Sequence, residues 1–105
     1  MIRHCVFIRY RADVPAAEKA AIHKEIADLK GRLAGLLDVH VGQNVSPETG
    51  MDKGFAEGFI VDFADAAARD RYLDDPGHRQ TGAKIVAAAE GGIAGILVYD
   101  LEIRN

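Results

Sequence analysis

Residues 93–103 read IAGILVYDLEI, and from Ile96 onward they alternate two sets: Leu97, Tyr99 and Leu101 on one side, Ile96, Val98 and Asp100 on the other. A period of two is that of a β-strand, and apolar side chains in both sets mean a strand with covering on both faces. Gly91 and Gly92, just before it, suit the end of a helix. At the other end of the chain, residues 2–10 (IRHCVFIRY) repeat the pattern, with Cys5 and Phe7 opposed to Val6 and Ile8. Both ends of the chain therefore belong to a sheet that is apolar on either face.

The segments between them alternate in period. Asp13 and Pro15 mark a helix start, because proline suits the first turn and a carboxylate suits the N-terminus. Ile22, Ile26, Leu29, Leu33 and Leu36 then follow at spacings of four and three, one stripe able to lie on a sheet, with Gly31 and Gly35 weakening its second half. Residues 39–45 (VHVGQNV) read as a second strand and 46–54 (SPETGMDKG) as a loop. Residues 55–63 (FAEGFIVDF) read as a third strand, in which Gly54 and Gly58 permit close approach by a neighbour. Asp65 caps a short helix, AAARDRYL, which Pro76 ends, and a further helical stretch runs from about His78 to Glu90.

The resulting order, βαββαβ, is the α+β ferredoxin-like arrangement, and one domain accounts for residues 1–105. Helices of so small a domain cover one sheet face. The other, carrying Leu97, Tyr99 and Leu101, calls for a second copy, so the expectation is a homodimer with two sheets closing a barrel about a twofold axis.

Composition narrows the function. Thirteen basic against sixteen acidic residues give a net charge of −3, with the basic residues scattered, which argues against nucleic acid as a partner. No apolar run approaches the roughly 20 residues of a membrane span, and no signal peptide is evident. Cys5 is the lone cysteine and allows no internal disulfide; it reads as a buried, inert thiol in a cytoplasmic protein. The glycines at 91, 92 and 95 lie between helix and strand, the wrong order for a dinucleotide loop.

Four residues suggest a pocket. In a ferredoxin-like sheet the first strand lies antiparallel between the third and fourth, so the start of one borders the end of the other, His4 near Asp100. A carboxylate on the helix side of the sheet requires a partner. His78 follows Pro76 and Gly77 at a helix joint, six residues after Tyr72. An imidazole oriented by a carboxylate acts as a general base, and a phenol donates to a carbonyl or enolate oxygen. His4, His78 and Asp100 make at most a three-ligand metal set without a closely spaced pair, so no metal or other cofactor is expected. His23 and His40 read as surface residues.

The same segments carry a family likeness. RHCVFIRY, the V-G-x-N-V from Val41 to Val45, GFAEGFIVDF, Y-x-x-x-P-x-H from Tyr72 to His78, and LVYDLEI together resemble the stress-responsive dimeric α/β-barrel (Dabb) family over essentially the whole chain. The resemblance implies a small homodimer. One plant member, the olivetolic acid cyclase, closes a linear polyketide by an aldol-type cyclisation without a cofactor. By that likeness His78 falls on the base, Tyr72 on its partner phenol, His4 on a pocket histidine and Asp100 on the supporting carboxylate. Glu57 stands where that enzyme has a histidine, and Ile26 or a neighbour where it has a tyrosine, which points to a different substrate.

The expectation is thus a domain that takes a small apolar carbonyl compound, as a cofactor-independent acid/base catalyst of cyclase or isomerase type. The alternative is a non-catalytic stress-associated domain binding a ligand or partner in the same pocket. An oxygen- or haem-handling barrel rests on analogy of fold alone.

Overall fold

A computed structural model describes residues 1–104. Strand β1 (Ile2–Ile8) leads to helix α1 (Ala16–Ala27), β2 (Leu36–Gln43), β3 (Glu57–Phe63), α2 (Ala66–Asp74), α3 (Pro76–Ala88), a short 3₁₀ turn at Gly92–Gly95, and β4 (Ile96–Glu102). The strands form one antiparallel sheet in the order β2-β3-β1-β4, which is the α+β ferredoxin-like topology.

Local chemistry explains most boundaries. The Asp65 carboxylate accepts from the Ala68 amide at 2.9 Å and starts α2. Asp75 does the same for His78, at 3.0 Å, with Pro76 in the first turn of α3. Helix α3 therefore begins at Pro76, two residues before the start read from the sequence. Helix α1 stops at Ala27, short of the stripe drawn through Leu36. Gly31 and Gly35 adopt φ of +84° and +82°, a left-handed geometry that no helix continues through. Leu36 instead opens β2, so that strand runs 36–43 rather than 39–45. A Cβ on Gly35 would lie 2.5 Å from the Ala68 Cβ, so glycine also lets α2 pack against this turn.

The core lies between the helices and one sheet face. Val6 and Ile8 of β1 and Phe59, Val61 and Phe63 of β3 meet Ile22 and Ile26 of α1, Tyr72 of α2 and Ile85 of α3. Burying each of the larger apolar side chains contributes about 1.5–3 kcal/mol. Gly58 shows the close approach that a strand glycine permits: a Cβ there would sit 2.6 Å from the Val6 carbonyl oxygen and 2.7 Å from the Phe7 ring.

The opposite face is open. Leu97, Tyr99 and Leu101 remain partly exposed on it, beside Phe7 and Ile60. Val98, in register with Val6 on the helix side, is nevertheless 53% exposed, because β4 is an edge strand that the helices do not fully cover. No helix among the described residues is long and apolar enough to cross a membrane.

Candidate functional site

The β1–β4 register pairs His4 with Asp100, and their side chains meet at 2.6 Å, Nδ1 to Oδ1. Both lie on the helix side of the sheet. Above them, α2 projects Tyr72, which is 0% exposed. The Tyr72 ring lies 5.7 Å from that of His4, 5.1 Å from that of Phe63 and 4.1 Å from that of His78, centroid to centroid. The α2–α3 joint supplies the last contact, since Asp75 fixes the first turn of α3 and brings His78 over the phenol. The structure thus gathers His4, Tyr72, His78 and Asp100 into one cluster, but Asp100 holds His4 and not His78, the base that the family likeness had it support.

A fifth residue completes it. Arg69 donates from Nη1 to Asp100 Oδ2 at 2.7 Å, so the carboxylate is held between an arginine and a histidine. Sequence reading missed Arg69. Its spacing, three residues before Tyr72 and so on the same side of the helix, was the available signal, together with the need of a half-covered carboxylate for more than one donor.

Electrostatics separate the roles. Burial lowers the affinity of His78 for a proton, the neighbouring His4 lowers it further, and the Leu73 carbonyl and Asp75 act in the opposite direction. Burial raises the Tyr72 phenol well above its usual range, with Asp75 adding to the effect. Burial also works to raise the Asp100 carboxyl, but bonds from Arg69 and His4 outweigh it and hold it below the ordinary carboxylate range. At neutral pH this leaves an uncharged imidazole, an intact phenol and an ionised carboxylate.

Two polar atoms in the cluster, Tyr72 Oη and His78 Nδ1, are buried and have no hydrogen-bond partner among the described residues. A buried polar group left unpaired costs about 1–3 kcal/mol. His4 and Asp100 do not join His78 as a metal site: the His4 Nδ1 and Asp100 Oδ1 atoms engage each other, and no group of three or more potential ligands is found among the described residues.

Other sequence readings meet mixed outcomes. His40 is exposed and reaches Asp62, which Arg3 also binds through two nitrogens. His23 is not a surface residue: it is half-buried and shares a 2.9 Å hydrogen bond with the Tyr10 hydroxyl. Burial there lowers His23 and pushes the Tyr10 phenol up to about 12. Glu57 pairs with Lys19 at 3.1 Å, and Ile26 is a fully buried core residue. Cys5 is buried and burial raises its thiol, so its nucleophilic form is suppressed. A cavity of about 630 Å³ lies on the open sheet face between Phe7, Ile60, Leu97, Tyr99, Met51 and Phe55, and none of the four clustered residues lines it.

An antiparallel sheet roofed on one side by helices, with a His–Asp pair reaching up from it to a tyrosine and a second histidine, defines a small ferredoxin-like α+β protein with a polar cluster inside the subunit. The chain belongs to the stress responsive A/B barrel domain (Dabb) family, whose model matches residues 2–103. It is similar to a dimeric ferredoxin-like protein of unknown function from Jannaschia sp. CCS1, at 29% identity and a TM-score of 0.90, covering 97% of this chain and 98% of that one. It shares its fold with a hydroxynitrile lyase from Passiflora edulis (19% identity, TM-score 0.84, 98% and 93% covered). The fold also recurs in SnoaB, a cofactor-independent oxygenase from Streptomyces nogalater (15% identity, TM-score 0.74, 99% and 93% covered). No curated protein sequence matches the chain.

Proposed function

We propose that this Dabb domain binds a small carbonyl compound at the Tyr72–His78 pair and acts on it as a cofactor-independent acid/base catalyst. The observation that carries this reading is the pair of buried, unpartnered atoms, Tyr72 Oη and His78 Nδ1, on rings 4.1 Å apart. One is a donor that stays protonated and the other belongs to an imidazole that stays uncharged, the states needed to polarise a carbonyl and to take a proton from the adjacent carbon. Tyr72 donates to the oxygen, His78 accepts the carbon-bound proton, and the enolate keeps the phenolic hydrogen bond. Because Tyr72 is wholly buried, the compound reaches it by displacing side chains that close the cluster.

The working unit is a homodimer of single 1–105 domains. The open sheet face, with Leu97, Tyr99 and Leu101, supports this, as does the similarity to a dimeric relative. The oxygenase of the same fold, described as working without a cofactor, is consistent with chemistry carried by side chains.

The test is deuterium exchange at carbons next to carbonyls, in a panel of β-polyketo thioesters and small ketones, comparing wild type with His78→Ala. Exchange that the substitution removes supports the reading; no exchange in the wild type, or an unchanged mutant, rejects it for those compounds. A second reading is favoured by the 630 Å³ cavity on the other face, a volume suited to a small molecule. A non-catalytic ligand held there would bind His78→Ala normally and lose affinity in Ile60→Glu.

A further inference from the structure

The cluster contains a residue whose position has a function of its own. Arg69 reaches from α2 to one oxygen of Asp100 while His4 reaches from β1 to the other, at 2.7 Å and 2.6 Å. An ionised carboxylate at 2.6 Å needs a donor, so Nδ1 of His4 carries a proton. What remains to be set is Nε2. A carboxylate with no other partner favours a second proton on the imidazole, whereas one whose charge is met by a guanidinium favours it less. We propose that Arg69 is a positioning residue: by sharing Asp100 it keeps His4 as the singly protonated Nδ1–H form, with a free lone pair on Nε2.

This inference rests on the acid/base reading above and extends it to regulation of the same site. The groups around His4 are Asp100 on β4, Arg69 and Tyr72 on α2, and His78 on α3, while β3 presents the apolar Val61 and Phe63. Farther out, Asp70 accepts from Arg69 Nε at 3.0 Å and Asp75 adjoins Tyr72 and His78. The positive charge of a doubly protonated His4 opposes proton uptake by His78, so loss of Arg69 weakens the base without touching it.

The experiment is imidazole ¹⁵N NMR of the full chain at pH 7, with resonances assigned in wild type, Arg69→Met and Arg69→Lys. The wild type should show His4 with a protonated Nδ1 and a pyridine-like Nε2. Arg69→Met should move Nε2 into the protonated range, and Arg69→Lys should return it toward the wild-type position. In the exchange assay, Arg69→Met should lower turnover by about tenfold or more, with a displaced acid limb and little change in KM. Arg69→Gln, which keeps a neutral donor to Asp100, serves if the methionine variant does not fold. An unmoved Nε2 in a folded Arg69→Met or Arg69→Gln protein overturns the proposal. If Nε2 moves but the wild type exchanges no substrate proton, the action of Arg69 on His4 stands and the acid/base reading fails.

Discussion

His4 and Asp100 are directly opposed on β1 and β4, and the two side chains close the gap between those strands at 2.6 Å. Opposed residues in an antiparallel ladder hold their Cβ atoms about 4.5–5.5 Å apart, so short side chains meet without a loop to aim them. Asp100→Ala leaves the buried His4 and the partly exposed Arg69 without their shared acceptor. Urea unfolding should show a loss of about 2 kcal/mol with an unchanged slope. A loss below about 0.5 kcal/mol would mean that the pair behaves as an exposed one.

Tyr72→Phe separates stability from activity. It deletes a buried hydroxyl with no partner and keeps the ring against Phe63, His4 and His78. Stability should hold or rise by up to about 1 kcal/mol, while exchange next to a carbonyl should fall by about a hundredfold. A clear loss of stability would show that the hydroxyl has a structural partner.

Stability should fall as the solution is acidified from pH 7 to pH 5. The folded state lowers the proton affinity of His78 and of His23, in each case chiefly by burial. Below the unfolded value of about 6.5, the unfolded chain takes up protons that the folded one refuses, so unfolding gains until the folded imidazoles also titrate. Denaturation across that range should give a shallower pH slope in His78→Gln, and a shallower one still on adding His23→Gln. An identical slope in His78→Gln would show that the imidazole titrates freely. Below about pH 3.9 a second loss follows, as protonation of Asp62 and Asp100 ends their pairs with Arg3 and with Arg69 and His4.

Leu97→Lys should abolish dimerisation by sedimentation at micromolar concentration. Leu97 is 42% exposed in the isolated subunit, so the change costs its fold about 0.5 kcal/mol and acts mainly on association. A dimer that survives it would place the contact elsewhere.

Much of the fold was legible because strand alternation is local. Val6 with Ile8, and Phe59 with Val61 and Phe63, fall on shared faces by spacing alone, and the structure turns both sets toward the core. The end of α1 was not, because Leu29, Leu33 and Leu36 keep helical spacing through two left-handed glycines, and leucine suits a turn facing the core as well as a helix. At the site, the closeness of His4 and Asp100 followed from topology, whereas Arg69 depended on how α2 is rotated over the sheet. His23 escaped because Tyr10 reaches it from beyond the end of β1, a contact no periodicity encodes. The cavity lies opposite the cluster because the β2–β3 loop, through Met51 and Phe55, folds over the open face.

Strand β1 sends His4, Val6 and Ile8 to one face and Cys5 and Phe7 to the other, in the middle of the sheet. A one-residue insertion there would exchange the two sets, placing an imidazole among the exposed leucines and Phe7 beneath α2. Sequence drift in this strand is thereby confined to replacement, or to length changes in steps of two, and neither face can be revised without regard to the other.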